Sequence, residues 1–385
     1  MNFQLATPFS ESFAFLDVDV VVRSGSEEFL GTLTDVYGRF RRPVPDPALT
    51  CYVVTQADAL ERPAVVVDGQ PRFCDDPDML VKYAYVAVLN TVFECVRDYV
   101  LIHAGVVSWA GQGVLLTGGP TIGKTTLTLE LVRRGFAFLS DDVAPLHRVT
   151  GQVAPFPKTL GVRPSTPPLM PDLSFAGQLT IPLFSDGQKR YVDVEAVKAG
   201  ALGQPCPARY LFALSDRLDE ADPAGDVVVM MLHRLSDELM ENLAAVPGVE
   251  EMSVIEGWLF PAVELEVAPG AVVDLELEAV CRGHDALIMY MAKGCYAQPD
   301  FEAAPALAPL SRSQAALELV HKFRAGPRSA LICEVHKGDM KSFFLELLDI
   351  AGQMRCYRLQ VGRLADTADL ICDVVRRGGK QSVNW

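Results

Sequence analysis

The sequence lacks the patterns that define several classes of protein. Its nine cysteines are scattered, odd in number and without a Cys-x-x-Cys pair, so neither a disulfide framework nor a zinc ribbon is expected. The most apolar stretch, Tyr99–Thr117, is interrupted by His103 and Ser108 and falls short of the roughly 20 apolar residues of a membrane helix. The N-terminus has no signal-peptide pattern. These absences favour a cytoplasmic protein without a membrane segment.

Positive charge is also scarce. Lys and Arg number 34 against 49 Asp and Glu, which gives a formal net charge of -15. Nucleic acids and anionic membranes repel such a chain, so we expect neither as a partner. Half of the residues are hydrophobic and 22% are charged, a composition that can bury a core. The length of 385 residues predicts about two or three compact units.

The apolar pattern predicts how the chain is organised. Residues 1–95 are predicted as an N-terminal α+β unit, with a strand at Phe13–Val22 and a helix at Ser26–Tyr37. Residues 96–385 are predicted as a second domain that contains an acidic, mainly β insertion at 215–310. We expect the N-terminal unit and the insertion to shape substrate access or oligomerisation.

The insertion is predicted to contain a hairpin. Val263–Val267 and Val273–Leu277 alternate apolar and acidic residues around Pro269-Gly270, which is typical of strands with one solvated face. The acidic side chains of that face are candidates for cation binding, but outward-facing charge is the more common reason for such alternation; they are Glu264, Glu266, Asp274, Glu276 and Glu278. Further on, Ser329–Val335 is predicted as a strand and Asp339 as the N-cap of a helix.

The middle of the chain predicts an α/β nucleotide-binding core. Strands are expected at Tyr99–Val107 and Gly113–Thr117, and a glycine-rich turn follows. A helix is expected at Lys124–Arg134, ended by Gly135, and then a strand at Phe136–Leu139. In a parallel sheet of this kind, the loops at the carboxyl ends of the strands gather at one edge, where ligands bind.

The glycine-rich turn carries the strongest chemical signal. Gly118–Thr125 reads Gly-Gly-Pro-Thr-Ile-Gly-Lys-Thr and matches the phosphate-binding pattern G-x-x-x-x-G-K-[ST]. Glycines let backbone amides wrap around phosphate oxygens, Lys124 would reach the β- and γ-phosphates, and the Thr125 hydroxyl would hold Mg²⁺. A chance glycine turn is the alternative, but the predicted strand and helix on either side favour nucleotide binding. The predicted nucleotide contacts are Gly118, Gly119, Pro120, Thr121, Ile122, Gly123, Lys124, Thr125 and Thr126.

Two other signals lie close to this motif in the sequence. Asp141 and Asp142 follow the next strand, so one carboxylate can bind Mg²⁺ and the other can accept a proton from a hydroxyl nucleophile. A helix cap or a loop acid is the alternative for this pair. His103 lies in the strand that precedes the motif, where a lone histidine is more often a core residue than a catalyst.

Together these residues resemble the catalytic domain of HPr kinase/phosphorylase and its relatives, which include kinases of peptide tails and of free serine. The resemblance rests on His103-Ala-Gly, the Gly-Lys-Thr end of the turn, Gly135-Phe-Ala-Phe-Leu-Ser-Asp141-Asp142 and Pro155-Phe-Pro-Lys158, and it is close over about residues 96–165. It implies an α/β fold with a P-loop kinase core of the HPr-kinase type. It also implies ATP and Mg²⁺ as cofactors.

The resemblance further implies roles for individual residues. His103, Lys124, Asp141 and Asp142 would be catalytic, with one acid as the proton acceptor and the other working with the metal. Thr125 and Asp142 would be the metal ligands. Lys158 would take a basic position in contact with phosphate.

The implied activity is transfer of the γ-phosphoryl group of ATP to a hydroxyl. The acceptor is expected to be Ser or Thr of a peptide or protein, with a free small molecule as the next choice, and homo-oligomerisation is left open. Pro120 and Thr121 replace an inner serine and glycine of the family loop, and Pro120 removes a backbone N–H. A non-catalytic ATP-binding regulatory or scaffold protein is therefore the rival. The family's downstream glycine-rich signature is not found, which argues against HPr itself as the acceptor.

Overall fold

The computed structural model describes residues 8–43, 47, 49–54, 64–67, 70–73, 80–119, 122–173, 190–218, 227–232, 234–255, 261–268, 270–271, 273–284, 286, 288–293, 299–326 and 328–378. The chain divides into two compact units. Unit 1 comprises Met1–Val96, Pro182–Asp186 and Ala221–Cys295. Unit 2 comprises Arg97–Ile181, Gly187–Glu220 and Tyr296–Trp385. Within the described ranges, every helix is too short or too polar to span a lipid bilayer.

Strands and helices alternate along both units. In chain order the strands are β1 (Phe9–Phe15), β2 (Val18–Ser24), β3 (Leu49–Val54), β4 (Ala64–Val67), β5 (Gln70–Phe73), β6 (Tyr99–Ile102), β7 (Gly105–Trp109), β8 (Gln112–Gly118), β9 (Ala137–Ser140), β10 (Ala144–His147), β11 (Gln152–Val153), β12 (Leu160–Val162), β13 (Arg190–Val192), β14 (Cys206–Ser215), β15 (Val227–Leu232), β16 (Val249–Ile255), β17 (Ala262–Val267), β18 (Ile288–Lys293), β19 (Ala306–Pro309) and β20 (Arg355–Gln360). The helices are α1 (Glu27–Tyr37), α2 (Leu80–Cys95), α3 (Lys124–Arg133), α4 (Val194–Val197), α5 (Asp237–Ala244), α6 (Asp274–Gly283), α7 (Arg312–His321), α8 (Met340–Ala351) and α9 (Leu364–Gly378).

The N-terminal part of unit 1 is a sheet in the order β1-β2-β3-β4-β5. The prediction of one strand over Phe13–Val22 is wrong, because β1 and β2 form an antiparallel hairpin that turns at Leu16, where φ is 58°. Apolar residues continue on both sides of that turn, so the sequence gives no sign of it. Helix α1 begins as predicted after Ser26, whose hydroxyl accepts a hydrogen bond from the Phe29 amide.

The second part of unit 1 is a sheet in the order β16-β17-β15-β18, packed with α5 and α6. The hairpin predicted for Val263–Val267 and Val273–Leu277 is wrong, since only the first segment is a strand and the second begins α6. Val273, Leu277 and Cys281 lie four residues apart and are all buried, so the helical period decides the structure. Among the acidic residues of that expected hairpin, Glu264 and Glu266 lie on β17, while Asp274, Glu276 and Glu278 lie on α6.

Unit 2 contains a mixed sheet in the order β6-β10-β11-β14-β8-β7-β9, and β20 pairs with β14 and with β19. Strands β8, β14 and β20 are parallel, but β7 runs antiparallel between β8 and β9, so the sheet is mixed and differs from the parallel sheet assumed in the sequence analysis. Because β8 and β9 are both antiparallel to β7, their carboxyl ends still lie at the same edge of the sheet.

Both faces of this sheet are covered by helices. On one face, Leu116 and Phe212 pack in a buried cluster with residues of α3 and α9. On the other face, Leu115 and Leu211 pack with residues of α7 and α8. Neighbouring strand residues therefore point to opposite hydrophobic cores, which explains the nearly continuous apolar runs of these strands.

Two other predicted strands in unit 2 differ from the structure. Tyr99–Val107 is divided into β6 and β7, because β6 pairs with β10 whereas β7 pairs with β8 and β9. Ser329–Val335 is not a strand, since Leu331–Val335 forms a π-helical turn that buries Leu331 and Ile332. By contrast, α3 ends at Arg133, within one residue of its predicted end, and Gly135 adopts φ 100°.

Candidate active site

The sheet brings three sequence signals to one edge. Gly105 at the start of β7 pairs with Leu116, two residues before β8 ends, and Val106 pairs with Ser140 at the end of β9. His103 lies in the link between β6 and β7, the glycine-rich turn follows β8, and the aspartate pair follows β9. The edge therefore joins residues that are up to about 40 positions apart in the chain.

The two ends of the segment Gly118–Thr125, here called the glycine loop, lie close together. Gly118 has φ 137°, and a β-carbon there would lie 2.8 Å from the Leu214 carbonyl oxygen, so only glycine fits. The Lys124 ammonium donates hydrogen bonds to the carbonyl oxygens of Gly118 and Gly119, both at 2.9 Å. Ile122 is buried and anchors the loop in the core. Pro120 and Thr121 lie outside the described residues.

Helix α3 begins directly after this loop without a side-chain cap. Its N-cap residue is Gly123, with φ 94°, which offers no side-chain acceptor to the first amides of the helix. Such amides and the helix dipole together favour an anion at this end. Thr125 is half-buried, and the hydroxyl of Thr126 lies 3.0 Å from that of Thr166. Thr126 would therefore reach a ligand through its backbone amide, since its hydroxyl already has a partner.

The aspartate pair is held by a tight turn and is surrounded by polar partners. The Ser140 hydroxyl accepts hydrogen bonds from the amides of Asp142 and Val143. The distance from His103 Nδ1 to Asp142 Oδ1 is 3.2 Å. Lys158 Nζ lies 3.5 Å from Asp141 Oδ1 and 3.8 Å from Asp142 Oδ2. The structure thus brings together the histidine, both acids and the second lysine.

Arg324 completes this group, and sequence reasoning did not find it. Its guanidinium Nη2 lies 3.7 Å from Asp142 Oδ2. The amide of Arg324 donates to the Leu101 carbonyl and the amide of His103 donates to the Lys322 carbonyl, so the chain after α7 pairs with the end of β6. The basic run at His321-Lys322 is visible in the sequence, but no local pattern places it beside β6. We call His103, Asp141, Asp142, Lys158 and Arg324 the edge cluster.

The edge cluster shifts the titration of two of its members. Burial and the nearby charge of Lys124 lower the pKa of His103 from 6.5 to about 4, although Asp142 opposes this shift. Burial acts to raise the pKa of Asp142, but Arg324, Lys158 and His103 outweigh it and hold that pKa well below 3.8. At neutral pH, His103 is therefore neutral and Asp142 is ionised. The pairing of β7 with β8 and β9 places the start of the glycine loop at the same sheet edge as the aspartate pair.

Comparisons with known proteins match the part of the chain that contains His103, the glycine loop and the aspartate pair. Residues 96–159 match the family described as HPr Serine kinase C-terminal domain. The HPr kinase/phosphorylase of Leptospira biflexa is 26% identical over 133 residues, which cover 34% of this chain and 38% of that protein. The HPr kinase/phosphorylase of Nitrosomonas europaea is 39% identical over 70 residues, which cover 18% of this chain and 19% of that protein.

Over residues 96–159 the chain is similar to an HPr kinase-like family. The resemblance noted in the sequence is thereby confirmed at family level. The HPr kinase-like segment contains His103, the glycine loop, the aspartate pair and Lys158, whereas Arg324 lies beyond its end. The matched segments span 19–38% of these two relatives' own lengths.

The chain also matches solved structures. The structure of the Hpr(Ser) kinase/phosphatase from Coxiella burnetii is 19% identical, and the match covers 48% of this chain and 95% of that one. The TM-score is 0.20, which indicates no overall superposition of the two chains.

Proposed function

We propose that the protein is an ATP-dependent phosphotransferase that moves the γ-phosphoryl group to a Ser or Thr hydroxyl of a peptide or protein. The observation that supports this proposal most strongly is the meeting of the glycine loop and the edge cluster at one end of β8 and β9. A phosphate-binding sequence beside paired carboxylates is the arrangement that phosphoryl transfer to a hydroxyl requires. The names of the family relatives support a kinase and an acceptor hydroxyl on serine.

In this proposal the glycine loop holds the triphosphate. The uncapped amides at the start of α3 bind phosphate oxygens, and the contacts proposed from the sequence extend over Gly118–Thr126. Lys124 exchanges its bonds to the carbonyls of Gly118 and Gly119 for a bond to the β- and γ-phosphates. The P-loop core of the HPr-kinase type is part of the same proposal.

The residues present fit a divalent cation that is shared with the phosphates. Mg²⁺ prefers oxygen ligands and usually takes one or two carboxylates together with substrate phosphates. The described residues contain no group of three or more His, Cys, Asp or Glu side chains that could hold a metal by themselves, which is compatible with a site completed by substrate. Thr125 and Asp142 would hold Mg²⁺, which when bound neutralises charge on the phosphates.

The two aspartates are assigned different roles. A carboxylate with a pKa far below neutral is a good cation ligand but a weak base, because a general base works best with a pKa near the operating pH. The cations around Asp142 keep it in the ionised form, so we assign it to the metal side. Asp141 then accepts the proton of the attacking hydroxyl. Neutral His103, whose Nδ1 lies 3.2 Å from Asp142 Oδ1, donates a hydrogen bond to Asp142 through its Nδ1–H group and so fixes the orientation of that carboxylate.

A transfer experiment tests the proposal. The full chain is incubated with Mg²⁺ and γ-labelled ATP, with cell extract, with free serine or alone. We expect label in a protein or peptide acceptor with the parent chain and none with Lys124→Ala or Asp141→Asn. Label in free serine would instead identify a small-molecule kinase. Nucleotide binding without transfer under any of these conditions would contradict the kinase and support the regulatory or scaffold protein.

A further inference from the structure

An aromatic side chain lies at the rim of the glycine loop. Phe301 is 49% exposed, and a β-carbon built on Gly123 would lie 3.7 Å from its Cε1 atom. The edge of the ring therefore lies close to the residue that caps α3, beside the amides that would hold phosphate. Single exposed apolar residues are common, so the position at this loop is what distinguishes Phe301.

The segment that carries Phe301 is firmly anchored. Within it, the amide of Glu302 donates to the carboxylate of Asp300 and the amide of Ala303 donates to the Asp300 carbonyl. The amide of Arg363 donates to the Ala303 carbonyl. A β-carbon on Gly362 would overlap Ala303, so the backbone segments around these two residues are in close contact. The backbone that carries the ring is thus held in place before any ligand arrives.

The sheet explains why this segment reaches the glycine loop. Arg363 and Gly362 follow β20, which is parallel to β14, and β14 is parallel to β8. The carboxyl ends of these strands therefore lie at one edge, and β8 leads into the glycine loop there. Phe301 is placed at the loop by the fold of unit 2 and not by local sequence.

The geometry points to a role for Phe301 as the platform on which the base of the bound nucleotide stacks, and this inference rests on the proposed function. A nucleoside triphosphate has a charged end that suits the amides of α3 and a flat aromatic end that needs an apolar surface. Phe301 has no polar side-chain atom and offers nothing to phosphate, but its ring can stack on a base. The residue would make the site select nucleotides over bare polyphosphates.

Calorimetric titration of the full chain with Mg·ATP and, separately, with Mg·tripolyphosphate tests this inference. Base–aromatic stacking has a strength that corresponds to about 5- to 150-fold in Kd. We expect Phe301→Ala to weaken ATP binding by that factor and to leave tripolyphosphate binding within about twofold of the parent. Leu345→Ala is the matched control, because Leu345 is 51% exposed on α8, on the opposite face of the sheet from α3. Its affinity for both ligands should equal that of the parent.

A second variant separates stacking from a folding defect. Phe301→Trp keeps an aromatic face, so it should bind ATP as the parent does, and its indole fluorescence should be quenched by ATP but not by tripolyphosphate. Equal weakening of both ligands by Phe301→Ala, or an ATP affinity within twofold of the parent, would overturn the inference while leaving nucleotide binding intact. If the parent chain binds neither ligand, the proposed function fails and the inference fails with it.

Discussion

The described part of unit 2 contains two clusters of histidine, acidic and basic side chains that differ in how closely their members are paired. In the edge cluster, the distances from His103, Lys158 and Arg324 to the aspartate oxygens range from 3.2 to 3.8 Å. In a second group, here called the helix cluster, Arg148 binds both carboxylate oxygens of Glu346 at 2.7 Å. His336 lies 2.8 Å from the same carboxylate and 3.0 Å from the Ser342 hydroxyl.

The difference teaches that residue type alone does not identify a site. Short, bidentate contacts use the lone pairs of Glu346 and join α8 to the segment after β10, which is a structural task. In the edge cluster, Lys158 and Arg324 lie at longer distances of 3.5–3.8 Å from the aspartate oxygens, and their positive charge helps to hold the pKa of Asp142 well below 3.8. Asp142 is also 30% exposed, whereas the side chain of Glu346 is 16% exposed.

The largest effect should come from neutralising the acids of the edge cluster. Asp141→Asn and Asp142→Asn are each expected to reduce phosphoryl transfer by about 100-fold or more, since a base or a metal ligand is lost. The measurement is the initial rate of transfer from γ-labelled ATP, with protein that is shown to be folded. Glu346→Gln is the control and should retain the parent rate. A loss of activity as large in that control would remove the distinction between the clusters.

Truncation in the helix cluster should instead affect stability. Glu346→Ala leaves Arg148 and His336 without their carboxylate, so the free energy of unfolding should fall by about 3 kcal/mol. Urea denaturation gives this quantity. Asp349→Ala is the control on the same helix, because Asp349 pairs with Arg312 on the surface and should contribute at most about 1 kcal/mol. Equal losses for the two variants would show that the helix cluster is not a structural link.

Protonation of His103 should make stability depend on pH. The unfolded chain protonates this residue near its ordinary pKa of 6.5, and the folded chain does so only near a pKa of about 4. The contribution of neutral His103 to the free energy of unfolding is therefore full above pH 6.5. It is lost as the pH falls toward 4, by an amount on the order of 3 kcal/mol. Asp142 stays ionised throughout this window, because its pKa is well below 3.8.

His103→Gln tests this expectation, since glutamine keeps a polar group but does not titrate. The free energy of unfolding of the variant should fall less than that of the parent between pH 6.5 and pH 4. Urea denaturation at several pH values across the window provides the comparison. Parallel pH profiles for the two proteins would mean that the folded chain does not hold His103 in its neutral form.

The smallest effect is expected from the hydroxyl at the start of α3. Thr125→Ala should raise the Mg²⁺ concentration needed for half-maximal ATP binding by roughly fivefold, the equivalent of about 1 kcal/mol for one lost contact. Thr125→Ser keeps the hydroxyl and should behave as the parent does. A metal titration with identical midpoints for all three proteins would argue against a metal contact at this residue.

The sequence predicted those parts of the site that depend only on neighbouring residues in the chain. The end of α3 follows from Gly135, and the aspartate pair was expected at the end of a strand because it follows a short apolar run. The position of Arg324 and the break at His103 could not be predicted, since both depend on pairing between β6 and distant segments. The division into residues 1–95 and a domain with an insertion at 215–310 stays a prediction.

The account depends most on the glycine loop as a nucleotide site, and one titration tests that directly. Calorimetry of the parent chain with Mg·ATP should give a measurable Kd. Lys124→Ala should weaken the binding by about tenfold or more, because a charge-assisted bond to phosphate is lost, and the comparison uses variant protein that is shown to be folded at the temperature of the titration. The same Kd for both proteins, or no binding by the folded parent, would contradict the assignment of this loop.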